Sequence, residues 1–189
     1  MNYTGERLIP KSGLGNIEEH LRFYNKSLEF VENKEVLDIA CGSGWGTILL
    51  SNKAKKVIGL DISPEAVRYA KKEYSGNNFE FQVGSILDIP FNDGTFDIVN
   101  SIETFEHVER KHIEKLISEC LRVLKKEGLF LFSTPEGEFF QYHPESPKEY
   151  QGWHFWHYTQ KELEELLTPH FSNVTFLKVY HTHFLICKK

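Results

Sequence analysis

Apolar residues along the chain fall into short uninterrupted runs closed by glycine-rich or polar breaks, separated by segments in which they recur every third or fourth position. Glu35 to Ile39, Lys56 to Asp61, Phe96 to Ile102 and Leu129 to Ser133 are of the first kind, and Phe79 to Val83 alternates apolar with polar residues and also reads as a strand. Such runs predict buried strands, because both faces of a short central strand are covered. The second kind predicts helices. Ile17 to Val31 places Ile17, Leu21, Tyr24, Leu28 and Val31 on one face, and Glu109 to Lys126 does the same with Ile113, Leu116, Ile117, Cys120, Leu121 and Leu124 until Gly128 stops it. Thr47 to Leu50 is a shorter apolar segment behind a glycine turn, and Ser63-Pro64-Glu65 supplies the cap, first-turn proline and acidic residue of a helix to about Tyr74. Thr159 to Leu167 carries a capping threonine with Glu162 three positions later, and Val174 to Val179 and Thr182 to Cys187 read as closing strands. Strands alternating with helices predict an α/β fold. Met1 to Asn16 reads as an irregular arm, and Thr134 to Tyr158 has no period, so a loop of that length is expected to be functional.

At 189 residues and 40% hydrophobic content, the chain has material for one domain spanning 1–189. The formal charge is −5, and cationic residues fall in scattered pairs such as Lys55-Lys56, Lys71-Lys72 and Lys125-Lys126. That disfavours a grip on long nucleic acid, which needs a basic stripe. Cys41, Cys120 and Cys187 are far apart and form no C-x-x-C pair, so reduced thiols are the simplest reading. No signal peptide or membrane-length apolar run is visible, and a cytoplasmic location follows as an expectation. Oligomeric state is not legible.

The first strand runs straight into glycines, as Asp38-Ile39-Ala40-Cys41-Gly42-Ser43-Gly44-Trp45-Gly46. Glycines there permit a sharp turn and let a ligand approach the main chain. The second strand ends on Asp61, followed by Ile62, about twenty residues past the loop, a spacing that suits a ribose diol. The glycine spacing departs from the G-x-G-x-x-G of dinucleotide loops. The string D-x-A-x-G-x-G-x-G instead resembles motif I of the class I S-adenosylmethionine (SAM) methyltransferases, with Ala40 where many members have glycine. Further landmarks follow in the family's order. Gly84-Ser85-Ile86-Leu87-Asp88-Ile89-Pro90-Phe91 resembles the adenine loop, with Ser85 in place of aspartate. Phe96-Asp97-Ile98-Val99 matches the fourth strand, and Arg122 to Pro135 resembles R-V-L-K through S-T-P. Tyr3-Thr4-Gly5-Glu6-Arg7 with Pro10 is similar to the opening of a bacterial subgroup found beside glycan-assembly genes.

The resemblance implies a Rossmann-like, mostly parallel seven-stranded sheet with helices on both faces and an antiparallel last strand. It implies SAM as methyl donor, held by Asp38, Ala40, Gly42, Gly44, Gly46, Asp61, Ile62, Ser85 and Ile86. Arg22, in the string His20-x-Arg22-x-Tyr24, is implied to reach the methionyl carboxylate.

Just past the fourth strand, Glu103-Thr104-Phe105-Glu106-His107 would bring Glu103, Glu106 and His107 onto one face if the segment were helical. E-x-x-E-H is similar to the metal string of small-RNA 2′-O-methyltransferases, in which a later histidine completes the site. Here that histidine would be His154, with His157 second. Glu103, Glu106, His107 and His154 are thus expected around Mg²⁺ or Mn²⁺. The alternative is a metal-free base, His107 first in line, and either device suits a hydroxyl acceptor. Trp153, Phe155, Trp156 and Tyr158 offer flat walls for an acceptor. An O-methyltransferase of a small molecule or glycan intermediate is therefore expected, with a nucleic-acid 2′-O-methyltransferase or a non-catalytic SAM-binding regulator as alternatives.

Overall fold

The computed structural model describes residues 17–137 and 154–189. The Tyr3 to Pro10 string, the arm through Asn16, Trp153 and the middle of the expected functional loop lie outside the described residues. The elements are α1 (Ile17–Ser27), β1 (Glu35–Ile39), α2 (Trp45–Ser51), β2 (Lys56–Asp61), α3 (Pro64–Glu73), β3 (Phe79–Val83), β4 (Phe96–Ser101), α4 (Ile113–Val123), β5 (Leu124–Pro135), α5 (Gln160–Leu167), β6 (Asn173–Val179) and β7 (Thr182–Lys188). They form a seven-stranded sheet in the order β3-β2-β1-β4-β5-β7-β6. Every described pairing is parallel except those of β7, which runs antiparallel to both β5 and β6. This is the Rossmann-like arrangement expected from the sequence.

Alternate residues of each strand feed opposite faces. Leu37, Leu60 and Phe130 pack with Ile113, Leu116 and Ile117 of α4 and Leu163 and Leu167 of α5. Val36, Val57, Ile98 and Leu131 pack with Phe23 and Tyr24 of α1 and Leu50 of α2. The strand order reverses at β1 and β4, so their carboxyl ends open onto a crevice, which is where open α/β sheets take their ligands. No helix among the described residues is long and apolar enough to cross a membrane.

Several boundaries differ from the periodic reading. The first helix ends at Ser27, because Leu28 to Lys34 form turns leading into β1. The expected helix from Glu109 to Lys126 is a 3-10 turn, Arg110–His112, followed by α4 over Ile113–Val123. It ends early because the Gly94 and Thr95 N–H groups bond the Arg122 and Val123 carbonyls, at 2.9 and 2.8 Å, and turn the chain outward. β5 therefore begins at Leu124 and passes through Gly128, with a register shift opposite Phe96 and Ile98. Gly128 acts as spacing and not as a helix stop: a Cβ there would lie 3.0 Å from the Asp97 carbonyl oxygen. The capping of α3 by Ser63 and the reciprocal Thr159–Glu162 box of α5 form as expected.

One arginine holds the turn that follows β3. Arg122 donates to the Ile89 and Phe91 carbonyl oxygens, both at 2.7 Å, and to Glu119 at 2.8 and 3.1 Å. Glu119 in turn accepts the Ile89 N–H at 2.8 Å. The Arg122 guanidinium, aided by that N–H, holds the Glu119 carboxyl down to about 2. A folded-state value below the ordinary unfolded value of about 4.3 gives stability that is complete above that pH and is lost as pH falls toward 2. Glu119→Gln should therefore lower the urea-unfolding free energy at pH 7 by about 2 kcal/mol and flatten its decline between pH 5 and 2. Parallel pH curves for variant and wild type would refute the clamp.

Candidate active site

The turn after β1 is built from left-handed backbone: Ala40, Gly42 and Gly44 have φ of 54°, 55° and 85°. The three motif glycines are needed for different reasons. A Cβ on Gly42 would meet nothing within 4 Å, so this glycine faces open space as well as holding a positive φ. A Cβ on Gly44 would come 2.6 Å from the Phe81 ring, and one on Gly46 would run into the Tyr24 ring. Gly42 borders the smaller of the two crevice cavities, which neither Gly44 nor Gly46 lines; these two let the loop close onto its neighbours.

Asp38, expected at the cofactor, lies beneath the loop and lines neither cavity. Its fully buried carboxylate accepts from Thr47 Oγ1 at 2.7 Å, Asn100 Nδ2 at 2.8 Å and Tyr24 OH at 3.4 Å. Burial pushes its pKa up to about 6 against the pull of these donors.

Two adjoining cavities occupy the crevice. The larger, about 320 Å³, is lined by Ile62, Ser85, Ile86, Leu87, Val108, Glu109, His112 and Phe155. The smaller, about 160 Å³, is lined by His20, Tyr24, Cys41, Gly42, Ser43, Trp45, Ile102 and Glu103. Ala40, Asp61, Thr104 and His107 border both. Asp61 accepts the Gly42 N–H on one carboxylate oxygen and the Ser63 N–H on the other, each at 2.8 Å. A carboxylate offers about four acceptor positions, so each oxygen keeps one for a ligand. Ser85 accepts the Leu87 N–H at 3.1 Å, and Ile62, 72% exposed, stands at the mouth. Arg22 is elsewhere: exposed on α1, it places its guanidinium 4.6 Å from the Tyr180 ring centre. His20, two residues earlier, borders the smaller cavity together with Tyr24 of the same helix.

The chain leaves β4 through Glu103 at φ 48°, and the turn that follows directly is a short 3-10 turn, Phe105–His107, and not an α-helix. The expected common face of Glu103, Glu106 and His107 therefore does not form. Glu103 accepts from Ser133 Oγ at 2.6 Å, and Glu106 accepts from Thr134 Oγ1 at 3.0 Å. Ser133 and Thr134 are neighbours on β5, and adjacent strand residues point to opposite faces. The two carboxylates are thus drawn apart.

Glu106, His107 and His154 do come together, with one possible ligand atom from each lying within 4.8 Å of the others. The Glu106 carbonyl oxygen accepts the Phe155 N–H at 2.7 Å, which fixes the returning segment against the site. His154 Nδ1 lies 2.6 Å from His157 Nε2, and burial holds the His154 imidazole down to about 4. Of the aromatic residues expected to receive an acceptor, Phe155 lines the larger cavity. Trp156 instead stacks on the Arg110 guanidinium at 4.5 Å, and Tyr158 is buried against Phe105. Ser133 and Thr134 were visible as the S-T of S-T-P, but their hold on Glu103 and Glu106 is a tertiary fact. His112 and Glu109 carried no signal beyond an exposed helix start.

A parallel sheet with a glycine loop after its first strand, an acid after its second and titratable groups after its fourth defines a nucleotide-type site with chemistry beside it. A family model described as a methyltransferase domain matches residues 37–132. A probable S-adenosylmethionine-dependent methyltransferase of Mycolicibacterium smegmatis is 31% identical over 94% of this chain and 68% of its own length. The chain belongs to the SAM-dependent methyltransferases, a family of enzymes. Relatives include the norajmaline N-methyltransferase of Rauvolfia serpentina, 38% identical over 57% of this chain and 38% of that protein. Another is the chloroplastic tocopherol O-methyltransferase of Arabidopsis thaliana, 35% identical over 62% of this chain and 35% of that protein. The chain therefore spans well under half the length of these last two. In fold it is similar to the PH0226 protein of Pyrococcus horikoshii, with a TM-score of 0.78 and 23% identity over 93% of this chain and 92% of that one.

The division among the glycines is testable. Gly46→Ala should lower the thermal midpoint, by overpacking against Tyr24 worth about 1–3 kcal/mol. Gly42→Ala should cost the fold only about 1 kcal/mol of left-handed strain and yet weaken SAM binding at least tenfold in calorimetry. The reverse ranking of the two variants in stability would contradict the assignment.

Proposed function

We propose that the chain is an O-methyltransferase that moves the methyl group of SAM to a hydroxyl of a small molecule or glycan intermediate. The observation that carries the reading is His107, which borders both cavities and has Glu106 and His154 beside it. SAM fits the pair of cavities: Asp61, at their junction, keeps two acceptor positions for a ribose diol, and Gly42 leaves the main chain uncovered. Ile62, Ser85 and Ile86 would hold the adenine in the larger cavity. Bound there, SAM supplies an electrophilic methyl on a sulfonium.

An alcohol is a weak nucleophile at neutral pH, so the chain must take its proton as the oxygen bonds to the methyl carbon and the carbon–sulfur bond breaks. His107 is placed to receive that proton. Glu106, 1% exposed and 3.9 Å from His107 Nε2, would stabilise the imidazolium that results. The walls position the acceptor, which is where much of the rate of an in-line displacement arises.

The same three side chains suit a divalent ion. Donors around an ion at about 2.1 Å lie no more than about 4.2 Å apart, so the observed spacing needs only a small closure. Glu106, His107 and His154 would be the ligands, with Thr134 orienting Glu106 from behind. A bound ion would act as a Lewis acid on the acceptor hydroxyl. With two imidazoles and no Glu103, the donor set favours Mn²⁺ or another transition metal over Mg²⁺.

Small-molecule names among the relatives and the absence of a basic stripe support a small acceptor. The late histidine beside Glu106 and His107 favours a second reading, 2′-O-methylation of a nucleic-acid end. The family assignment weighs against a non-catalytic regulator.

Radiolabelled methyl transfer from SAM to a panel of hydroxylated metabolites, glycan precursors and short RNA tests these readings. With an active acceptor, His107→Ala should lower kcat at least 100-fold while leaving SAM affinity within threefold of wild type. A chelator should abolish transfer, and Mn²⁺ should restore it, if the metal reading holds; full activity in chelator leaves His107 as an unassisted base. Transfer that is indifferent to His107→Ala would overturn the mechanism.

A further inference from the structure

Glu103 is left without the role its motif suggests, yet it is held with more care than a surface carboxylate. It is a non-glycine residue at φ 48°, and such strain concentrates where a side chain must be aimed. Ser133 fixes it from two directions, accepting its backbone N–H at 3.0 Å and donating to Oε1 at 2.6 Å. The neighbouring elements decide where the carboxylate faces: Ser133 shares its face of β5 with Leu131, and that face packs against α1. His20 of α1 borders the same small cavity, and the charge of Glu19, also on α1, helps raise the Glu103 pKa, although burial is the larger cause. Glu103 borders only the smaller cavity, whereas the open mouth with Phe155 belongs to the larger.

We propose that Glu103 reads the cationic amino-acid end of the methyl donor, its carboxylate accepting from the α-ammonium in the smaller cavity. The inference rests on the placement of SAM across the two cavities. It assigns Glu103 to donor binding and removes it from proton transfer. His20 of α1 lines the same cavity, so its imidazole stands on the side where the α-carboxylate would lie.

Three ligands separate this role from its rivals. SAM carries both ammonium and sulfonium, S-adenosylhomocysteine carries the ammonium alone, and 5′-methylthioadenosine carries neither. Glu103→Gln preserves volume and the contact with Ser133, and calorimetry should show SAM and S-adenosylhomocysteine each weakened at least tenfold, the scale of a lost charge-assisted hydrogen bond. Binding of 5′-methylthioadenosine should stay within twofold. Glu103→Gly, at a φ that suits glycine, should melt no lower than wild type and still lose the same affinity. Equal losses for all three ligands would overturn the proposal, as would unchanged binding of all three. Loss confined to SAM would reassign the carboxylate to the sulfonium. Wild-type protein that binds 5′-methylthioadenosine but neither of the other two would also refute the proposal while leaving the nucleoside seat intact. Binding of none of the three would overturn the placement of SAM itself, and this inference with it.

Discussion

The geometry of the crevice depends on a carboxylate that never reaches it. Asp38 sits at the end of the central strand with no exposed surface, and its donors arrive from three separate elements: Tyr24 from α1, Thr47 from α2 and Asn100 from β4. A buried carboxylate stripped of partners costs several kcal/mol, so each element is held in register by the demand of this one group. Asn100 extends the network to Ser27 Oγ at 2.6 Å, and the Tyr24 ring occupies the space that Gly46 leaves open. The glycine loop therefore rests on a polar platform that is assembled only when α1 is docked. Burial lifts Asp38 to about 6, above an ordinary carboxylate, so between that pH and about 4 the folded chain takes up this proton more readily than the unfolded chain, and this group opposes acid unfolding over that range.

Much of the fold was legible because its strands are short apolar runs with unambiguous ends. β2 and β3 coincide with the runs Lys56 to Asp61 and Phe79 to Val83, and the caps at Ser63 and Thr159 are local chemistry that needs no tertiary information. The helix before β5 was misjudged for the complementary reason. Its stop is made by the amides of Gly94 and Thr95, nearly thirty residues away in sequence, and helical periodicity cannot see a partner of that kind. Gly128 showed the same ambiguity: the residue that ends helices also permits two strands to approach closely.

The site divides along the same line. Gly42 and Asp61 stand together at the crevice, because both lie at strand ends whose direction the parallel sheet dictates. The placement of Arg22 is not legible in the sequence, since which helical neighbour turns inward depends on the docking of α1, and Tyr180 of a distant turn takes the guanidinium. The aromatic segment 154–158 was equally opaque. Its composition suggested similar walls at Phe155, Trp156 and Tyr158, but hydrogen bonds to the Glu106 carbonyl and the burial of Tyr158 give these three rings different surroundings.

The separation of the two glutamates follows from the pleat of one strand. Ser133 lies on the face of β5 that meets α1, together with Leu131, while Thr134 lies on the face of Phe132, whose ring stacks on Phe105 at 4.2 Å. A true helix after β4 would have carried Glu103 and Glu106 on one side and left one of these hydroxyls buried with nothing to bind. The left-handed step at Glu103 rotates the chain so that each hydroxyl meets its own carboxylate, and the 3-10 turn that follows then presents Glu106 and His107 to His154. A single strained residue thus splits one acidic motif between opposite faces of the sheet, which is what allows the two roles proposed above, donor recognition on the side of α1 and proton or metal chemistry on the side of α5, to be separate.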